Sequence, residues 1–380
     1  MKIKKLSHET DVRTYLKKIN VDAGGVNILS KKAKLHLISI EDMHVGAANI
    51  LKQDALSVGA DLAVPRGTVI AKELRVDTLL IASTRQLEKL AKKELAQPFG
   101  LKELAKKLKS ITQIQKPKRA KVMGVINAND DSFYSGSRFH GKDAMAMIEQ
   151  MIADGADIID IGAVSSRPNA PVVSAEEELE RIRPILALIK KEKLFEQVVL
   201  SIDSFEPVIV KEALDAGFCI VNDITGLQND EVCSLTAQYG ASAVIMHMQG
   251  TPQTMQNNPA YCDVLEDVYS FFEERIAKAE RFGIKDIILD IGIGFGKRLE
   301  DNLMLIKHLE HFLTLQRELL VGASRKSMID AIFPSQTEQR LAGTLALHLK
   351  AFQNGASILR VHDVYEHAQA LRIEERLMAL

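Results

Sequence analysis

Seven polar residues stand where short apolar runs end: Asn127, Asp203, Asn222, Asp290, Lys326, Arg360 and His362. Two of them are carboxylates, and a buried acid without a partner is costly. A metal ion is one partner that would satisfy them; a ligand rich in N–H donors is another. The 2-amino-4-oxo edge of a pyrimidine presents two adjacent N–H donors, which one carboxylate can accept as it does from a guanidinium. Asn222 would add a donor and an acceptor, and Lys326 could donate to a ring carbonyl. A second subset, Arg167, Arg360 and His362 with Asn127, suits phosphoryl oxygens, and Asn127 could offer oxygen to a hard cation such as Mg²⁺. Taken singly, each acid reads more often as a helix cap or a loop hydrogen bond, and Arg167 as a surface loop residue. Gathered on successive strand ends, they point to one site.

The elements that must carry these residues repeat along the chain. Five apolar runs follow a glycine: after Gly155, Gly217, Gly240, Gly283 and Gly355. Three more, ending before Asn127, Asp203 and Ser324, lack it. Such runs read as buried parallel strands, and helical periodicity fills the intervals. Ser174-Ala-Glu-Glu177 reads as a capping box for one helix, within which Pro184 is expected to kink or split the pattern. Pro207 fits the first turn of another helix, and Gly217 fits just past its end. Longer helices are expected over 263–282 and 338–354. Eight βα units predict an α/β fold, a (β/α)8 TIM barrel with its site at the C-terminal strand ends. An open doubly wound sheet would need a nucleotide fingerprint, which is missing.

The 380 residues exceed one barrel of about 250. The reading is therefore a small basic α/β domain over 1–115, a linker over 116–121 and a barrel over 122–380. In the front segment, strands are expected at 35–40, 62–64 and 78–81, and helices at 43–58, 85–95 and 101–108. Residues 1–121 hold 25 Lys and Arg against 12 Asp and Glu, whereas the remainder holds 24 against 38. That basic surface reads as solvated rather than as a nucleic-acid site. No apolar stretch is long enough to span a bilayer and no signal-type core follows Met1, so a cytoplasmic protein without membrane partners is expected. The three cysteines form no Cys-x-x-Cys pair, which argues against a disulfide framework or a structural zinc site. Gly292-Ile-Gly-Phe-Gly296-Lys lacks Walker spacing. His247 has no second histidine at ligand spacing and reads as a hydrogen-bonded strand-end residue.

Eight segments resemble, in order, the signatures of dihydropteroate synthases, pterin-binding enzymes. They are Gly124-Val-Ile-Asn127-Ala-Asn-Asp-Asp-Ser132-Phe133, Asp157-Ile-Ile-Asp160-Ile-Gly162-Ala-Val-Ser-Ser166-Arg167-Pro168, Ser201-Ile-Asp203-Ser, Val221-Asn222-Asp223-Ile, Met246-His247-Met248-Gln-Gly250-Thr-Pro252, Asp290-Ile-Gly292-Ile-Gly294-Phe295-Gly296-Lys297, Ser324-Arg325-Lys326-Ser327 and Arg360-Val-His362-Asp363. The resemblance covers about 120–380. It implies a barrel that condenses 6-hydroxymethyl-7,8-dihydropterin pyrophosphate with para-aminobenzoate in folate biosynthesis, a sulfonamide target, commonly a homodimer through its last helices. By analogy Asp203, Asn222, Met248, Asp290, Arg325 and Lys326 serve the pterin. Asn127, Arg167, Arg360 and His362 serve the pyrophosphate, with Mg²⁺ at Asn127. Ser166, Phe295, Lys326 and Ser327 border para-aminobenzoate. Asp203, Lys326, Arg360 and His362 are the catalytic set implied.

The chain departs from that pattern in places. Asn129-Asp130-Asp131 replaces the usual Thr-Pro-Asp, and Ser135-Gly136 stands where many members have Asp before Gly. The second loop reads Gly162-Ala-Val-Ser-Ser166-Arg167, and Ile293 stands where Phe is common. The altered loops motivate one alternative, a catalytically silent pterin-binding paralogue. A pterin-dependent corrinoid methyltransferase is the other, though it would not need the Lys326 and His362 sets. The pyrophosphokinase often fused to this family would need acidic metal ligands that 1–115 does not show.

Overall fold

The computed structural model describes every residue except Glu9, 128–140, 165–172 and Leu380. The chain divides into two units, Met1–Gln115 with Arg376–Leu380, and Lys116–Glu375.

The first unit begins with two short helices, α1 (Val12–Lys18) and α2 (Ala23–Ala33), that the sequence reading missed. Each starts at an aspartate, Asp11 or Asp22, whose carboxylate accepts the N–H groups of the first turn. Then follow β1 (Leu35–His44), α3 (Val45–Val58), β2 (Asp61–Ala63), β3 (Arg75–Ser83), α4 (Thr84–Glu94) and α5 (Leu101–Gln113). The strands form an antiparallel sheet in the order β1-β3-β2. Met43, expected to open a helix, instead closes β1 across a bulge. The helix starts two residues later because the His44 imidazole accepts the Gly46 N–H at 3.0 Å. Leu51, Leu80, Leu87, Leu90, Leu101 and Leu108 are fully buried in the core of this unit.

In the second unit β4 (Lys121–Asn127), α6 (Gly141–Asp154), β5 (Ile158–Gly162), α7 (Ala175–Glu192), β6 (Val199–Asp203), α8 (Pro207–Asp215), β7 (Ile220–Asp223), α9 (Asp230–Gln238), β8 (Ser242–Met246) and α10 (Val264–Phe282) alternate. The rhythm continues with β9 (Ile287–Asp290), α11 (Leu299–Lys307), β10 (Glu318–Val321), α12 (Ser327–Ile332), α13 (Leu341–Gln353), β11 (Ile358–Val361) and α14 (Val364–Met378). All eight strands pair in parallel, and β11 closes on β4. The eight-stranded parallel barrel expected from the sequence is present.

Pro184 does not split its helix: α7 runs unbroken for 18 residues. The proline ring lies on the exposed face, and Ile182, Ile185, Leu186 and Ile189 bury the other. The capping box is half made. Ser174 accepts the Glu177 N–H at 3.2 Å, while the Glu177 carboxylate turns to Arg181 at 2.6 Å.

Met123, Ile158, Ile220, Val244, Ile288, Leu320 and Ile358 form a buried apolar cluster, one residue from each barrel strand except β6, where Ser201 is fully buried. Side chains on a strand alternate, so the residue two places further on points the same way. Counting two from Ile158, Ser201, Ile220, Ile288 and Ile358 reaches Asp160, Asp203, Asn222, Asp290 and Arg360. The alternation thus sets a polar layer directly above an apolar plug, at the C-terminal strand ends.

Candidate active site

Arg360 lies at the centre of that layer. Its Nε donates to Asp160 Oδ2 at 2.6 Å and its Nη2 to Asp203 Oδ2 at 2.5 Å. Asn222 Nδ2 donates to the same Asp160 oxygen at 3.0 Å. Asp160 is fully buried, and its other oxygen, Oδ1, has no hydrogen-bond partner. The sequence reading left Asp160 out of the site, although the two-residue alternation that selects Asn222 and Asp290 selects it too. Arg360, grouped in the sequence with the anion-binding residues as well as with the polar set, has its guanidinium bonded to Asp160 and Asp203. Asp223, next to Asn222, points outward and accepts from Thr225 and Leu227, fixing the loop after β7.

Asp290 Oδ1 accepts the Gly292 N–H at 2.8 Å. The chain then turns sharply through Gly292, which has φ +63°, and an added Cβ there would sit 1.9 Å from the His247 carbonyl oxygen. Only glycine fits. Lys297, almost fully buried, pins this turn by donating to the carbonyls of His247, Gly292 and Phe295 at 3.1, 2.9 and 3.0 Å. The turn presents the Ile293 carbonyl to Lys326 Nζ, which also lies 4.5 Å from the centroid of the Phe295 ring. His247 stands at the end of β8 as expected, hydrogen-bonded through its backbone to the Asp290 carbonyl and to Lys297 rather than through its ring. Its ring Nδ1 has no hydrogen-bond partner, and the ring packs edge-on against Phe271.

Burial pushes the Asp203 and Asp290 carboxyls above the usual range, with Arg360 and Lys326 respectively pulling back. Burial also lowers the Lys326 ammonium to about 8, opposed by Asp290. Burial works against the Arg360 charge too, but Asp160 and Asp203 beside it prevail and keep it ionised. The cup therefore sets three acids, Asp160, Asp203 and Asp290, among the Arg360, Lys326 and Lys297 cations, and the unpartnered Asp160 Oδ1 can accept an N–H donor.

The remaining expected residues fall at varied places. Asn127 ends β4 and is half-buried; Met248 and Phe295 are half-buried, and Ser327 is exposed as the first residue of α12. Arg325 does not turn into the cup. Its guanidinium forks onto the Asp363 carboxylate, with Nε 3.0 Å from Oδ2. His362 Nδ1 lies 2.9 Å from Ser324 Oγ. Ser166, Arg167 and the variable part of the first signature lie outside the described residues.

A model of the family described as pterin binding enzyme matches residues 123–362. The chain belongs to the dihydropteroate synthase family. A bifunctional dihydropteroate synthase/dihydropteroate reductase of Helicobacter pylori is 42% identical over 377 residues, covering 99% of each chain. Among solved structures, the dihydropteroate synthase of Yersinia pestis in complex with a sulfonamide drug superposes with a TM-score of 0.66 at 37% identity, covering 69% of this chain and 95% of that one. That of Xanthomonas albilineans with 4-aminobenzoic acid gives 0.64 at 36% identity, covering 69% and 94%. Asp203, Asn222, Asp290 and Lys326 all lie within the residues that the family model matches.

Proposed function

We propose that the protein condenses 6-hydroxymethyl-7,8-dihydropterin pyrophosphate with para-aminobenzoate, giving 7,8-dihydropteroate and pyrophosphate. The observation that carries this reading is the polar layer itself: Asp203, Asn222 and Asp290 facing one space above the plug, with Lys326 at its wall. Asp290 and Asn222 would take the amino-pyrimidine edge, Lys326 would donate to the ring carbonyl, and Met248 would flank the bicycle. Arg325, tied to Asp363, would brace that wall rather than touch the ring.

The reaction needs no enzyme nucleophile. The bond from the pterin methylene to the pyrophosphate oxygen breaks with its electron pair leaving on pyrophosphate, and the electron-rich dihydropterin carries the resulting positive charge. Asp203 and Asp290 stabilise that cation, while Arg360, His362, Arg167 and Asn127 favour the departing anion. The amine of para-aminobenzoate, bordered by Ser166, Phe295, Lys326 and Ser327, then attacks the methylene and loses a proton. Catalysis is positioning plus preorganised charge.

Asn127 suits Mg²⁺ by chemistry. It is a half-buried amide at a strand end, and this ion accepts one protein oxygen together with waters and phosphate oxygens. When bound, the ion would neutralise the pyrophosphate. A homodimer through α13 and α14 and sulfonamide competition for the para-aminobenzoate seat complete the proposal. Among the described residues no helix is long and apolar enough to cross a membrane, which accords with a cytoplasmic enzyme acting on small molecules.

A pyrophosphate-release assay with both substrates, with and without Mg²⁺, tests this. Turnover is expected, and Asp290→Asn should lower it by about a hundredfold or more. A folded wild-type protein that binds the pterin pyrophosphate without releasing pyrophosphate would instead indicate a silent paralogue.

One observation favours an added activity. The H. pylori relative, named for both a synthase and a reductase, aligns through the front unit as well as the barrel. We propose that this chain also reduces 7,8-dihydropteroate, a two-electron step that requires a nicotinamide or flavin hydride donor. Oxidation of such a donor dependent on dihydropteroate supports it; its absence with both donor classes refutes it.

A further inference from the structure

Behind the Lys326 loop, two histidines are buried against each other. His348 on α13 and His367 on α14 are each about 1% exposed, with His348 Nδ1 2.9 Å from His367 Nε2. The Ala323 N–H donates to His348 Nε2 at 2.9 Å, and His367 Nδ1 lies 2.6 Å from the Asp363 carbonyl oxygen. A backbone N–H can only donate and a carbonyl oxygen can only accept. The protons are therefore fixed. His348 carries its proton on Nδ1 and passes it toward His367 Nε2, and His367 carries its own on Nδ1, toward Asp363. Both rings are neutral, and burial lowers both in the direction that keeps them so.

The two ends of this relay are informative. Ala323 opens the loop Ala323-Ser324-Arg325-Lys326, and Asp363 follows Arg360-Val-His362. On the other side the same two segments meet through Arg325 with Asp363 and through Ser324 with His362. Thr344, also on α13, accepts the Arg325 N–H at 2.9 Å. We propose that His348 and His367 are positioning residues, a buried neutral strut that sets the spacing between the Lys326 loop and the His362 turn. Lys326 addresses the pterin and His362 the diphosphate of one substrate, so the strut keeps both ends of the site in register. The proposal rests on the synthase reading.

Steady-state kinetics on the full chain test it. His348→Leu leaves the Ala323 N–H and His367 Nε2 without partners. It should fold, yet lose about tenfold or more in kcat/KM for the pterin pyrophosphate, with KM for para-aminobenzoate changed less than about twofold. His348→Gln, whose amide offers an acceptor and a donor at nearly the imidazole spacing, should recover most of that loss. Wild-type kinetics in His348→Leu, or a folded His348→Gln as impaired as His348→Leu, overturns the strut. If His348→Leu does not fold, His348→Asn replaces it: its shorter amide cannot span the gap, so equal kinetics for Asn and Gln overturn the proposal. In the wild type, ¹⁵N–¹H correlation of the imidazoles at neutral pH should show both rings as Nδ1–H tautomers, and a doubly protonated ring is incompatible with the relay. Absence of turnover in the wild type would sink the synthase reading while leaving the tautomers intact; turnover indifferent to His348→Leu would sink only the strut.

Discussion

On the proposed reading Lys326 acts as an ammonium that donates to the ring carbonyl and opposes Asp290, yet burial holds it down to about 8. kcat/KM for the pterin pyrophosphate reports the free enzyme, so it should fall toward tenfold per pH unit above about 8. On the acid side it should fall as Asp203 and Asp290 protonate, at a pH above the ordinary carboxylate range because both are raised. A profile flat to pH 10 would remove Lys326 from pterin binding. Asp160 gives a second test. Asp160→Asn keeps the shape but removes the charge that holds Arg360 and Asn222, and an expected loss of about ten- to a hundredfold in kcat/KM with an unchanged fold checks it. At this scale the sequence placed Asn222 and Asp290 on strand ends, where the structure has them, but passed over Asp160, which the same period selects. Arg325 was not legible, because its partner Asp363 lies 38 residues away and a side chain that forks onto a neighbour looks, in sequence, like one that faces a ligand.

At the scale of elements, the glycine-led runs were readable because each of Gly155, Gly217, Gly240, Gly283 and Gly355 takes a positive φ where a helix must stop before a strand. Pro184 misled because its rule concerns isolated helices, whereas burial of one face of α7 against the barrel outweighs one lost backbone bond. Pro184→Ala should therefore stabilise the protein, by about 1–3 kcal/mol, in chemical denaturation. Glu94, ending α4, is fully buried with neither carboxylate oxygen hydrogen-bonded, and burial together with Asp54 raises it to about 7. A carboxyl raised on folding contributes stability that is complete below its unfolded pKa and lost as pH rises through about 7. Glu94→Gln should accordingly raise the melting temperature at pH 8 more than at pH 4.5, and equal shifts would refute this.

For the whole molecule, every described residue assigned to the synthase site, and every support described for it, lies within Lys116–Glu375. A chain reduced to 116–380 should retain pyrophosphate release within about tenfold while losing any reductase activity. Loss of both would tie the chemistry of the barrel to the front unit. The barrel could be read from its eight repeats, but the role of the front unit could not. The polar residues where β1 ends and β3 begins bond one another, Arg75 with Asp42 and Asp77 with the Asp42 N–H, and the exposed side of β1 carries Leu35 and Leu37, residues that say nothing about a reaction.

The apolar cluster from Met123 to Ile358 fills the barrel beneath the polar layer, so a ligand of that layer is approached from the C-terminal strand ends. Whatever sits deepest has to enter first. On the proposed reading the pterin diphosphate, held lowest, precedes the arylamine, and an arylamine bound alone would be a cork above an empty seat. Pyrophosphate must leave past the rim before the joined product, now a single long molecule, can be drawn out by the same door.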